Sequence, residues 1–147
     1  MYVPTCSALV LTERTAHRDL LASLLAERTP HVFALSSDLG VKKRAALAQS
    51  MAAVPDGEPS VLVATGRLVG EGFDDARLDT LFLAMPISWR GTLQQYAGRL
   101  RRLHDEKSEV VIYDYVDPLL PVLARMWDKR RARRWVYPPR APLSPHR

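Results

Sequence analysis

Several familiar chemistries are ruled out by what the chain lacks. It has one cysteine, Cys6, in 147 residues, so no internal disulfide can form and a reducing compartment suits it. His17, His31, His104 and His146 are scattered, and with one thiol they make no metal-ligand spacing. The opening Met1-Tyr2-Val3-Pro4-Thr5-Cys6-Ser7-Ala8-Leu9-Val10-Leu11 lacks the basic start of a signal peptide. Its apolar run falls far short of the roughly 20 residues that span a bilayer. A cytoplasmic protein is expected. Internal repeats are absent, and so is any Gly-x-x-x-x-Gly-Lys-[Ser/Thr] loop that would cradle nucleotide phosphates.

What remains is the composition of a globular protein, 47% hydrophobic and 25% charged, at a length that suits one core. The formal net charge of +5 and pI near 9.7 favour polyanionic partners. Five short runs, at 8–11, 32–35, 61–64, 80–84 and 110–113, are almost continuously apolar instead of alternating. That pattern belongs to parallel strands covered on both faces. Helical spacing separates them: over 15–27, with Leu20, Leu21, Leu24 and Leu25; over 42–53, with Leu47 and Met51; and over 93–103. The expected fold is α/β, a doubly wound and mostly parallel sheet with helices on both faces and sites at the carboxyl ends of the strands. Pro55-Asp56-Gly57-Glu58-Pro59 reads as a surface turn. From Pro118 a last helix is expected, with Leu119, Val122, Leu123, Met126 and Trp127 as its apolar stripe. The domain is placed at 1–135, and a Pro/Arg-rich flexible tail is expected over 136–147.

Chemistry concentrates in Gln95-Tyr96-Ala97-Gly98-Arg99-Leu100-Arg101-Arg102. At about 100° per residue, Gln95, Arg99 and Arg102 fall in one narrow sector of a helix, with Leu93, Tyr96, Leu100 and Leu103 opposite. Guanidinium groups stay charged and grip phosphate oxygens in pairs, as a transferring phosphoryl group requires. A solvated basic helix face is the plainer alternative. A second segment, Thr65-Gly66 followed by Gly70-Glu71-Gly72-Phe73-Asp74, closes the third strand with glycine turns and a carboxylate. Its plainer reading is an ordinary strand-to-helix loop capped by the aspartate.

Together these segments resemble motifs V and VI of superfamily-two helicases, in particular the DEAD/DEAH-like, type III restriction and repair-helicase branch. Leu11-Thr12-Glu13-Arg14 resembles motif IV, and the likeness extends through Leu78-Asp79-Thr80-Leu81-Phe82-Leu83-Ala84-Met85-Pro86 to Tyr113-Asp114-Tyr115-Val116-Asp117. The resemblance covers residues 8–130 and implies the RecA-like second motor domain, the helicase C-terminal domain. By position it implies that Arg102 is an arginine finger and Arg99 the neighbouring γ-phosphate sensor, both catalytic. Gln95, Gly72 and Asp74 would touch ATP, while Thr12, Arg14, Thr65 and Gly66 would hold the nucleic-acid backbone. ATP and Mg²⁺ are implied as cofactors, bound mainly by a first RecA-like domain carrying Walker A and B. Nucleic acid, DNA ahead of RNA, is the implied partner. Ser36-Ser37-Asp38 and Arg101 depart from the family pattern, where glycine and histidine are usual. Asp105-Glu106 sits in a polar turn and does not serve as a Walker B pair.

Two other readings stand beside the motor: a non-enzymatic module that binds nucleic acid or protein, and an unrelated nucleotide-dependent transferase. The second would need a glycine-rich loop after the first strand, where Leu11-Thr12-Glu13-Arg14 stands. His17 is read as structural or exposed. Ser88-Trp89-Arg90 and the basic tail with Trp127, Trp135 and Tyr137 are secondary candidates for nucleic-acid contact.

Overall fold

A computed structural model of the protein describes residues 7–36, 38–65, 77–84, 111–115 and 119–131. The five apolar runs are strands: β1 Ser7–Thr12, β2 His31–Leu35, β3 Ser60–Thr65, β4 Leu78–Leu83 and β5 Val111–Asp114. They form one sheet in the order β2-β3-β1-β4-β5, and all four pairings are parallel. Central strands buried on both faces explain the unbroken apolar runs: Leu9, Leu11, Leu62, Val63, Ala64, Leu81 and Leu83 are at most 1% exposed.

Helix α1, Thr15–Ala26, lies mainly against β2, β3 and β1, and helix α2, Val41–Ala52, lies against β2. They cover opposite faces. His17 of α1 meets Thr12, whereas Met51 and Leu47 of α2 join Leu9, Leu11, Leu35, Leu62, Ala64, Leu81 and Leu83 in one core cluster. Such a split follows from right-handed crossovers, because the chain leaves β1 in one direction and returns from β2 in the other. Helix α3, Pro121–Arg131, starts three residues later than the sequence implied, with Pro121 at its first position, where a missing N–H costs nothing.

Two details differ from the apolar pattern, each for a local reason. Strand β4 begins two residues early because the β1–β4 register shifts between Ser7 and Ala8. The extra residue lets Leu78 and Leu81, three apart, both enter the core on one face. In α1 the four leucines do not share a face: Leu21 and Leu25 are half-buried, while Leu20 and Leu24 are 56% and 50% exposed. Arg18 takes the vacated inward position at 6% exposure, donating from Nη1 to the Leu35 carbonyl at 3.1 Å. The expected turn at Pro55 is present. Glu58 N–H donates to the Pro55 carbonyl at 3.1 Å, and Gly57 has φ +89°, which a side chain would resist. The expected helix over 93–103 and the boundary at 135 lie outside the described residues.

Candidate functional site

Strand β1 is the middle strand, and the chain departs from it towards β2 on one side and returns to β4 on the other. This is the topological switch point, where open α/β sheets bind ligands at their carboxyl edge. The first turn after β1 and the end of β3 both meet that edge. Thr12 and Thr65 are register partners closing β1 and β3. Leu11 pairs with Leu83 and Leu83 with Asp114, so the next residues, Thr12, Ala84 and Tyr115, continue the same row. The Ala84 and Tyr115 amides extend the ladder, donating to the Leu11 and Leu83 carbonyls at 2.9 and 3.3 Å.

Within the row the two threonines differ. Thr12 is fully buried, and its hydroxyl shares a 2.7 Å hydrogen bond with His17 Nδ1. The pair ties the end of β1 to the first turn of α1. Thr65 is half-buried at the equivalent place on β3. Arg14 stands between β1 and α1 as an exposed residue with extended backbone, φ −108° and ψ 133°, and its carbonyl accepts from Arg18 N–H at 3.0 Å.

Both described helices that start at this edge do so without side-chain caps. Arg14 before α1 and Gly40 before α2 make no capping hydrogen bond, and neither first turn holds an acid. Lys42 and Lys43 occupy the first turn of α2 and are exposed. Cations at the positive end of a helix dipole each cost about 0.3–1 kcal/mol, and uncapped N–H groups suit an anion. An edge of this electrostatic character accommodates phosphate oxygens. It offers no cluster of acids: among the described residues no group of three or more His, Cys, Asp or Glu is arranged to hold a metal ion.

Of the residues singled out from the sequence, Thr12, Arg14 and Thr65 are described and converge on this edge. Gly66, Gly72, Asp74, Gln95, Arg99 and Arg102 lie outside the described residues. Sequence reasoning missed the Thr12–His17 pair, whose signal was the five-residue spacing from strand end to first helical turn. It also missed a set of stacked rings, Phe82, Tyr113 and Tyr115, which only the strand register brings together. No described helix is long and apolar enough to cross a membrane.

No protein-family model matches the chain. Over 76 residues it is 37% identical to "Uncharacterized protein 108L" of Invertebrate iridescent virus 3, a match that covers 52% of this chain and 68% of that protein. Among solved structures, the C-terminal part of the Fun30 ATPase domain superposes with a TM-score of 0.71 at 16% identity, over 84% of this chain and 38% of that one. T4 UvsW gives 0.68 at 19% identity, over 88% of this chain and 28% of that one. Domain 2 of the DEAD-box helicase Mss116p, in a structure bound to an RNA duplex, gives 0.63 at 18% identity, over 86% of this chain and 48% of that one. The chain therefore spans less than half the length of each of these structures. At such identities the likeness is one of fold, and the fold is RecA-like α/β.

Proposed function

We propose that this chain, which belongs to the same family as protein 108L of Invertebrate iridescent virus 3, is the second motor domain of an ATP-dependent helicase or translocase. One observation carries the reading. A RecA-like sheet has its carboxyl edge formed by Thr12, Arg14 and Thr65, and the same sequence contains Gln95, Arg99 and Arg102 at a spacing suited to phosphate. The wording of the motifs favours the type III restriction and repair branch, with DNA as the first polymer to test.

ATP with Mg²⁺ supplies the transferring phosphoryl group, and a first RecA-like domain holds most of it, since this sequence has no phosphate loop. Arg99 and Arg102 reach across the cleft and offset charge as it develops on the γ-phosphoryl oxygens. Gln95, Gly72 and Asp74 line the nucleotide on this side. Arg14, Thr65 and Gly66 hold nucleic-acid phosphates. Thr12 contributes indirectly, because its hydroxyl is committed to His17 and braces the turn that carries Arg14. Closing and opening of the cleft then changes grip on the strand.

The test uses the purified chain alone. It is expected to show no ATP turnover, and to bind nucleic acid weakly, without sequence preference and with steep salt dependence. Steady turnover by the purified wild-type chain that is lost in an Arg102→Ala control, which excludes a contaminating ATPase, contradicts the half-motor. Tight, salt-insensitive binding to one particular sequence identifies a binding module instead.

A further inference from the structure

Phe82 and Tyr113 are register partners on β4 and β5, on the sheet face that carries Thr12 and α1. Their ring centroids lie 4.8 Å apart with planes 9° from parallel. Neighbouring strands are themselves spaced by about 4.8 Å, so the rings stand face to face along the hydrogen-bonding direction. Tyr115, two residues on, adds a third ring, 6.4 Å from Phe82 and inclined by 17°. Strand β5 is the outermost strand of the sheet among the described residues, so the stack stops at the sheet's outer edge. There Tyr113 is 42% exposed and Tyr115 60%. Rings already aligned in parallel at an exposed edge offer the next planar group a stacking surface without further ordering.

We propose that Tyr113 and Tyr115 form a stacking platform for the bases of a single-stranded nucleic acid. The proposal rests on the nucleic-acid reading above and adds a contact to bases where that reading has only phosphates. Continuity supports it: Tyr115 closes the row that holds Thr65 and Thr12, two strand spacings or about 10 Å from Thr12. Charge supports it too. Helix α3 begins six residues after Tyr115, and the sequence of 121–131 holds four cations, Arg125, Lys129, Arg130 and Arg131, to one acid, Asp128. Aromatic side chains combined with cations are how sequence-tolerant single-strand binders hold their ligand, with stacking on the rings and phosphates near the cations, and here the cations follow the tyrosines closely in sequence.

The experiment uses the full chain and two oligonucleotides of equal length, about 20 nucleotides, one all-thymidine and one abasic with the same phosphates. Affinities are measured at one fixed salt concentration for wild type, Tyr115→Ala and Tyr115→Phe. The wild type is expected to prefer the thymidine strand. Tyr115→Ala should weaken binding to it by about 5- to 150-fold while leaving the abasic strand unchanged, and Tyr115→Phe should retain the preference. Equal wild-type affinity for the two strands, or an equal loss on both in Tyr115→Ala, overturns the platform and leaves the phosphate contacts standing. Failure to bind either strand removes the nucleic-acid reading and the platform with it. A lowered melting temperature or altered oligomeric state in Tyr115→Ala, without any change in base preference, means that the rings pack against a helix or a second copy, and also overturns the platform.

Discussion

At the amino edge of the sheet, polar groups are tied to one another. At the carboxyl edge, several are turned outward. Ser60 donates to Ser7 where β3 and β1 begin, at 3.2 Å, and His31 meets Glu58 at 2.5 Å where β2 and β3 begin. Arg77, just before β4, donates to the carbonyls of Met51 and Val54, two buried residues at and just beyond the carboxyl end of α2. A cation on the last carbonyls of a helix satisfies orphan acceptors and suits the dipole. The other end of α2 is the reverse case, with no cap and with Lys42 and Lys43 against the positive end of the dipole. One helix thus has one end completed by its own chain and one end completed best by an anion from outside. The proposed function puts ligand recognition at the second edge, where open α/β sheets usually bind their ligands, and leaves the first to stability.

Substitutions at the two edges should therefore separate stability from binding. The larger stability effect belongs to Arg77→Ala. The Val54 carbonyl loses its Arg77 donor and the Met51 carbonyl keeps only the Val54 N–H, which should cost about 1–3 kcal/mol in a denaturant titration, with nucleic-acid affinity unaltered once the protein is folded. An equal loss of affinity would mean that this edge is functional after all. Arg14→Ala is the mirror experiment. An exposed cation with no cap bond should change stability by less than about 0.5 kcal/mol. Binding should weaken alike across sequences, and the slope of log affinity against log salt should fall by about one. A destabilised fold with an unchanged salt slope would place Arg14 among the structural residues.

Legibility from sequence followed the same physics. Strands buried on both faces advertise themselves as continuous apolar runs, and all five were located to within two residues at each end. Helices half in water are harder to read. Leu20 and Leu24, grouped with Leu21 and Leu25 by helical spacing, are exposed, while Arg18, which sequence reasoning did not single out, is buried. Tertiary contacts to the Leu35 carbonyl decided that exchange, and no local window contains them. Thr12, Arg14 and Thr65 could be assigned to one edge because they follow strand ends. The aromatic stack could not, since Phe82 and Tyr113 are adjacent only through the β4–β5 register.

The motor reading depends most on the face expected to hold Gln95, Arg99 and Arg102. Its direct test is ATP turnover and nucleic-acid affinity in the protein that unites this chain with a phosphate-loop domain, comparing wild type, Arg102→Ala and Arg102→Lys. Arginine fingers contribute roughly 10³–10⁵ in turnover in phosphoryl-transfer enzymes. Turnover in Arg102→Ala should fall on that order while nucleic-acid affinity holds. Arg102→Lys should rescue poorly, because an ammonium keeps the charge and loses the planar fork. Near-normal turnover in Arg102→Ala would make this helix a basic surface only and would contradict the motor assignment.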